Sequence, residues 1–172
     1  MPYNSFANLE HLGSASNFMD DILELFRSPS LLEHFSREEC SLLCSYMECF
    51  GAPSQTTILQ EGDSGNFMLI ILTGSVNVIK HWQGNEYKVV ALVGPGEFLG
   101  EMSLVDGQQR SATCKTAEPC DFAVFTHEAL NEILIDHPRL GNKLLLLLLQ
   151  LITVRLREAT IRMLPTIIST LV

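Results

Sequence analysis

Apolar residues first recur at helical spacing, then in short alternating runs, and that switch of period divides the chain. Phe18, Ile22, Leu25 and Phe26 fall three to four residues apart, which predicts an amphipathic helix over 17–27, broken by Ser28-Pro29-Ser30. Ser36 followed by Glu39 is a capping box; it opens a helix that turns Cys40, Leu43, Cys44 and Met47 inward. From residue 48 the period shortens. The runs 56–60, 66–73, 75–82, 86–93, 112–116 and 120–126 read as strands. Turn signals separate them at 61–65, Gly74, Gly84-Asn85 and Glu118-Pro119. Many short strands with regular turns predict a mostly β fold, a sandwich or a jelly roll, with flanking helices. Thr126 then caps a helix to residue 136, and Pro138 opens a long last helix that Pro165 ends after residue 164.

The expected organisation is one domain over 17–164, with N-terminal helices at 17–46, a β-roll at 47–126 and C-terminal helices at 127–164. Residues 1–16, polar and small, are expected to be flexible, and 165–172 to form a tail.

At 100° per residue, the last helix carries two apolar seams. Leu140, Leu144, Leu147, Leu151, Val154 and Ile161 make one, and Leu145, Leu149, Ile152, Leu156, Ala159 and Met163 the other. Lys143, Gln150, Thr153, Arg157 and Thr160 form a polar stripe. A helix packed on its own domain needs one seam. The second therefore predicts a homodimer through this helix, the alternative being one broad seam buried in a monomer by the N-terminal helices.

Composition narrows the partners. At 47% hydrophobic and 18% charged, the chain of 172 residues is globular in character. Its net charge of −9, with only 11 Lys and Arg, argues against nucleic acid, which demands a basic stripe. The apolar run 144–149 is too short for a membrane span of about 20 residues. Five cysteines, an odd number, and an N-terminus without the pattern of a signal peptide suit a reducing cytoplasm. The spacing of Cys40, Cys44 and Cys49 is not that of a zinc site, so core packing is expected.

The chemistry concentrates at 94–113. Gly94, Gly96 and Gly100 around Pro95 let the backbone bend and come close to a ligand. Gly100-Glu101-Met102-Ser103-Leu104 reads as a short helical turn, whose first N–H groups lack intrahelical partners and favour an anion. Arg110 supplies a planar fork suited to two oxygens of one phosphate. The carboxylate of Glu101 cannot bind that anion, so it is expected to bind something attached to it, such as a sugar hydroxyl.

This stretch resembles the phosphate-binding cassette of the cyclic nucleotide-binding domain, the family of the bacterial catabolite activator, the regulatory subunit of cAMP-dependent protein kinase and cyclic-nucleotide-gated channels. Residues 61–76 resemble the family's second and third strands, so the likeness spans roughly 30–160. It implies a double-stranded β-helix (jelly roll) with N-terminal helices and a long C-terminal helix, and a cassette at 96–113. It implies that Glu101 accepts from the ribose 2′-hydroxyl and that Arg110 pairs with the exocyclic phosphate oxygens. The N–H groups of Gly100, Glu101 and Met102, with Ser103, Ser111 and Ala112, would complete the cradle. Arg155, between the seams of the last helix, is placed near the base by analogy with the activator branch, where this helix lids the purine.

The resulting expectation is a non-enzymatic sensor of cAMP or cGMP, without cofactor or metal, signalling through its C-terminal helix to a dimer partner or an effector protein. Ser111 after the cassette Arg leaves the base open. Eight residues after Leu164 leave no room for the helix-turn-helix of the activators, so a stand-alone domain is expected. The alternative is a degenerate domain that keeps the fold as a protein-interaction module. A cupin-like metalloenzyme would need clustered histidines; no His-x-His occurs and only His81 falls in a strand of the roll.

Overall fold

A computed structural model describes residues 6–26, 35–82 and 86–170. The Ser28-Pro29-Ser30 break and the Gly84-Asn85 turn lie outside them. Among the described residues nine strands form two antiparallel sheets. One has the order β1-β2-β9-β4-β7: Glu10–Ser14, Met47–Ala52, Cys120–Thr126, Phe67–Ile71 and Phe98–Leu99. The other has the order β3-β8-β5-β6: Thr57–Leu59, Thr113–Thr116, Val76–His81 and Tyr87–Val93. Helices α1 (Met19–Phe26), α2 (Arg37–Cys44), α4 (His127–Asp136) and α5 (Pro138–Thr170) flank the roll, and α3 (Glu101–Asp106) sits inside its connections. The jelly roll with flanking helices is the architecture the sequence implies.

The first sheet is covered on both faces, which explains its unbroken apolar runs. Along β4, Phe67, Leu69 and Ile71 point into the roll while Met68 and Ile70 pack under the helices. β9 does the same with Phe122 and Val124 inside and Ala123 and Phe125 outside. The helical side of that core is closed by Ile22, Leu43, Ile133, Leu140 and Leu144.

Three boundaries depart from the sequence reading. Residues 6–16 are not a flexible leader: β1 pairs with β2, and Phe6 is buried against Phe50, Phe67 and Phe122 at centroid distances of 5.2–5.4 Å. That aromatic cluster stabilises an otherwise polar segment. Met47 is buried as expected, but as the first residue of β2 and not on α2, because six consecutive pairings with β9 run from Met47↔Phe125 to Ala52↔Cys120. At the other end α5 runs through Pro165 to Thr170 instead of stopping at 164. A proline inside a helix removes one rung and crowds the carbonyl four residues back, which kinks a helix or breaks it, and here the helix continues.

The expected caps are present. Ser36 accepts from the Glu39 N–H at 3.2 Å and Glu39 Oε2 accepts from the Ser36 N–H at 2.8 Å. Thr126 Oγ1 accepts from the Ala129 N–H at 3.1 Å. The initial 17–27 helix is split into a 3-10 turn, Ala15–Phe18, and α1.

Candidate functional site

Two glycines in left-handed backbone end α3: Gly100 at φ +80° and Gly107 at φ +66°. Gly100 offers no capping side chain, so the first N–H groups of α3 take no side-chain cap. Leu104, fully buried, pins the short helix to the core and fixes where that N-terminus points.

Arg110 reaches the same place from the strand side. Its main chain is locked by the 61–65 turn: Gly62 N–H donates to its carbonyl at 2.9 Å, and its own N–H donates to Asp63 O at 2.8 Å. Its guanidinium lies 4.3 Å over the Phe67 ring, and Nη1 donates to Gly100 O at 3.1 Å. Only 4% of Arg110 is exposed, yet Nη2 is buried with no hydrogen-bond partner among the described residues. Burial pushes the Arg110 pKa below its ordinary value, while the carboxylates of Glu101 and Asp63 favour the charged form. A buried guanidinium with an idle nitrogen is costly unless an anion completes it.

Glu101, 6% exposed, opens α3 beside it. Its Oε1 lies 3.7 Å from Arg155 Nε, and Arg155 Nη2 also donates to Phe98 O at 3.0 Å. Arg155 comes from α5, so the long helix reaches the site through one side chain. Gly100, Glu101, Met102, Ser103, Arg110, Ser111, Ala112 and Arg155 all line one cavity of about 160 Å³. The structure therefore brings together every residue singled out from the sequence.

It also adds residues that the sequence reading missed. Leu59, Val78, Leu99 and Cys114 form the apolar wall. The Cys114 thiol is pushed up to about 12 by burial, which keeps it neutral. Gly65 and Gly100 flank the guanidinium: a Cβ would fall 2.3 Å from Arg110 Nε at Gly65 and 2.4 Å from Nη1 at Gly100. Val78 and Cys114 were visible in principle as facing positions of two paired strands; Gly65 carried no such signal.

Comparison with known proteins gives the family of the chain. Residues 52–137 match the sequence profile of the cyclic nucleotide-binding domain. A crystal structure of a cyclic nucleotide-binding domain from Methylobacillus flagellatus superposes with a TM-score of 0.84 at 47% identity, covering 92% of this chain and 89% of that one. The chain belongs to the cyclic nucleotide-binding domain family.

Within that family this cyclic nucleotide-binding domain is 30% identical over 133 residues to the cyclic AMP receptor protein of Thermus thermophilus. The crystal structure of the catabolite activator protein from that organism gives a TM-score of 0.69 at 29% identity, covering 77% of this chain and 61% of that one. The regulatory domain of Toxoplasma gondii PKA, crystallised with cAMP, gives 0.61 at 25% identity, covering 68% and 44%. The match spans 60% of the Thermus receptor protein and 36% of the Clp protein of Xanthomonas campestris. The relatives' names describe regulators. Among the described residues no helix is long and apolar enough to cross a membrane.

Proposed function

We propose that this domain senses a cyclic mononucleotide, cAMP or cGMP, in the cavity between α3 and β8. The observation that carries the reading is the Arg110 guanidinium, buried with Nη2 unpartnered beside an uncapped helix N-terminus. One phosphate satisfies both. Glu101 takes the ribose 2′-hydroxyl on the far side of the same turn, and the N–H groups of Gly100, Glu101 and Met102, with Ser103, Ser111 and Ala112, complete the cradle. The apolar wall of Leu59, Val78 and Leu99 accepts the purine. Calorimetric titration tests it: binding of cAMP or cGMP with a raised melting temperature is expected. No heat and no thermal shift at millimolar ligand would leave the degenerate interaction module standing instead.

Signalling is assigned to α5. Arg155 links this helix to Glu101, so a ligand that engages Glu101 changes what holds α5 against the roll. The ligand can shift that equilibrium only by its differential affinity for the two arrangements. No catalytic step or cofactor is part of this reading, and the buried free thiols suit a cytoplasmic setting.

Glu101→Ala should weaken cyclic nucleotide binding by about 1.5–3 kcal/mol through the lost charged hydrogen bond. It should also narrow the preference for cAMP over 2′-deoxy-cAMP, measured by competition titration. A variant that still discriminates fully would move the ribose away from residue 101.

The output partner is a second copy through α5, with an effector protein as a further recipient. Leu140, Leu144 and Leu147 of the first seam are buried in the domain, while Leu145, Leu149 and Leu156 of the second are exposed. Those exposed side chains lie along one face of α5, and Val154 and Ile161 at the end of the first seam are exposed with them. Light scattering should show a dimer that Leu149→Glu with Leu156→Glu converts to monomer, with the ligand cavity intact. A wild type that is monomeric at all concentrations would assign the seam to the effector.

A further inference from the structure

We propose that Lys80 is a positioning residue for the anion, acting through the peptide that joins Ser111 to Ala112; this rests on the cyclic nucleotide reading above. The β5–β8 ladder runs in register from Val76↔Thr116 to Ile79↔Thr113 and ends there. Residues 110–112 therefore leave the sheet as they reach the cavity. Two grips replace the ladder. On one side the 61–65 turn holds the Arg110 main chain by the Gly62 and Asp63 hydrogen bonds. On the other, Lys80, the next residue of β5, donates its Nζ to Ser111 O.

The same ammonium donates to Glu61 Oε1 at 2.9 Å, and Glu61 Oε2 accepts from the His81 N–H at 3.1 Å. The Glu61 N–H donates to Thr113 Oγ1 at 3.0 Å. Turn, strand and cassette exit are thus tied in one clasp. The Lys80 ammonium and the His81 N–H hold the Glu61 carboxyl below its usual range.

The consequence follows from peptide geometry. The peptide between Ser111 and Ala112 is trans, as are all those of the described residues, so the Ser111 carbonyl and the Ala112 N–H point in opposite directions. Holding the carbonyl from the Lys80 side turns the Ala112 N–H away from Lys80 and fixes the plane of a peptide whose Ala112 lines the cavity. An ammonium on the carbonyl oxygen also polarises the amide and strengthens its N–H as a donor. Lys80 lines no part of the cavity itself; its effect passes through that peptide.

Lys80→Met removes the ammonium and keeps the stem, and Lys80→Arg restores a cation; Glu61→Gln loosens the clasp from its other half. In the ligand-free protein, the Ala112 amide proton should move upfield in Lys80→Met and return in Lys80→Arg by NMR. With cAMP, Lys80→Met should bind about tenfold more weakly. The ratio of affinities for the Sp and Rp phosphorothioates of cAMP should also change, because each places sulfur, a poor acceptor, at a different exocyclic position. General loosening would lower both affinities together and leave that ratio alone. An unmoved Ala112 resonance with an unmoved ratio overturns the proposal. A wild type that binds neither cAMP nor cGMP overturns the sensor reading instead, and the Ala112 resonance of the free protein still decides the clasp.

Discussion

Replacing Arg110 by alanine is expected to weaken cyclic nucleotide binding by about 2–4 kcal/mol, roughly 30- to 900-fold, measured by calorimetry. The size follows from burial. Arg110 is 4% exposed, so the phosphate it meets is shielded from water, and its loss leaves that charge without its buried cation. The α3 N-terminus remains and keeps some affinity. Folding should respond quite differently. In the free protein Arg110 is a buried cation with an idle Nη2, offset by one bond to Gly100 O and the Phe67 ring. Arg110→Met fills similar space without the charge. Its ligand-free stability should stay within about 1 kcal/mol of wild type, since exchanging a buried ion for an apolar side chain is often neutral. Thermal denaturation with and without ligand separates the two effects. A Met variant that binds like wild type would place the anion elsewhere.

The asymmetry between affinity and stability marks which parts of the molecule are legible in its sequence. The cassette is local: Gly100, Glu101, Arg110 and Ser111 lie within a dozen residues, and the conformational demands of a short helix and a phosphate fall on adjacent positions. So do the caps at Ser36 and Thr126, whose partners lie three residues away. The strands of the roll announced themselves by β-branched and aromatic runs. What escaped was held by distance. β1 is mostly polar, and distant partners keep it in the sheet: its pairing with β2, Leu12 against the core, His11 on Phe50 and Glu48, and, just before it, Phe6 packed against rings at 50, 67 and 122. Its local composition favours disorder, and long-range burial overrules it. Pro165 shows the opposite limit, a strong local signal to stop that α5 passes through. Arg155 was placed from the family likeness. Its partners, Glu101 and Phe98, are more than fifty residues away, beyond the reach of any periodicity. Gly65 was legible only as part of a turn, since its importance at the site is the space its missing side chain leaves.

That space makes the sharper test. Gly65→Ala should cost nearly as much affinity as Arg110→Ala, about 2 kcal/mol or more, without touching any ligand-binding group. A Cβ there would sit 2.3 Å from Arg110 Nε and 2.4 Å from Cζ, so the guanidinium must swing away. The displaced atoms end a flexible side chain, and Gly65 is not among the glycines with positive φ, so alanine suits its backbone. Arg110 would keep its main-chain bonds to Gly62 and Asp63. Melting temperature should therefore change little while binding collapses. Gly100→Ala is a poorer probe, because φ +80° adds backbone strain of about 1–3 kcal/mol. Coupling supplies the decisive arm. If Gly65 acts only by leaving room for Arg110, then in an Arg110→Ala background the alanine at 65 has nothing to displace. The double variant should bind no worse than Arg110→Ala alone, a strongly non-additive cycle. Additive losses would mean that residue 65 disturbs the 61–65 turn itself, and the close approach of this glycine to the guanidinium would then be incidental to binding.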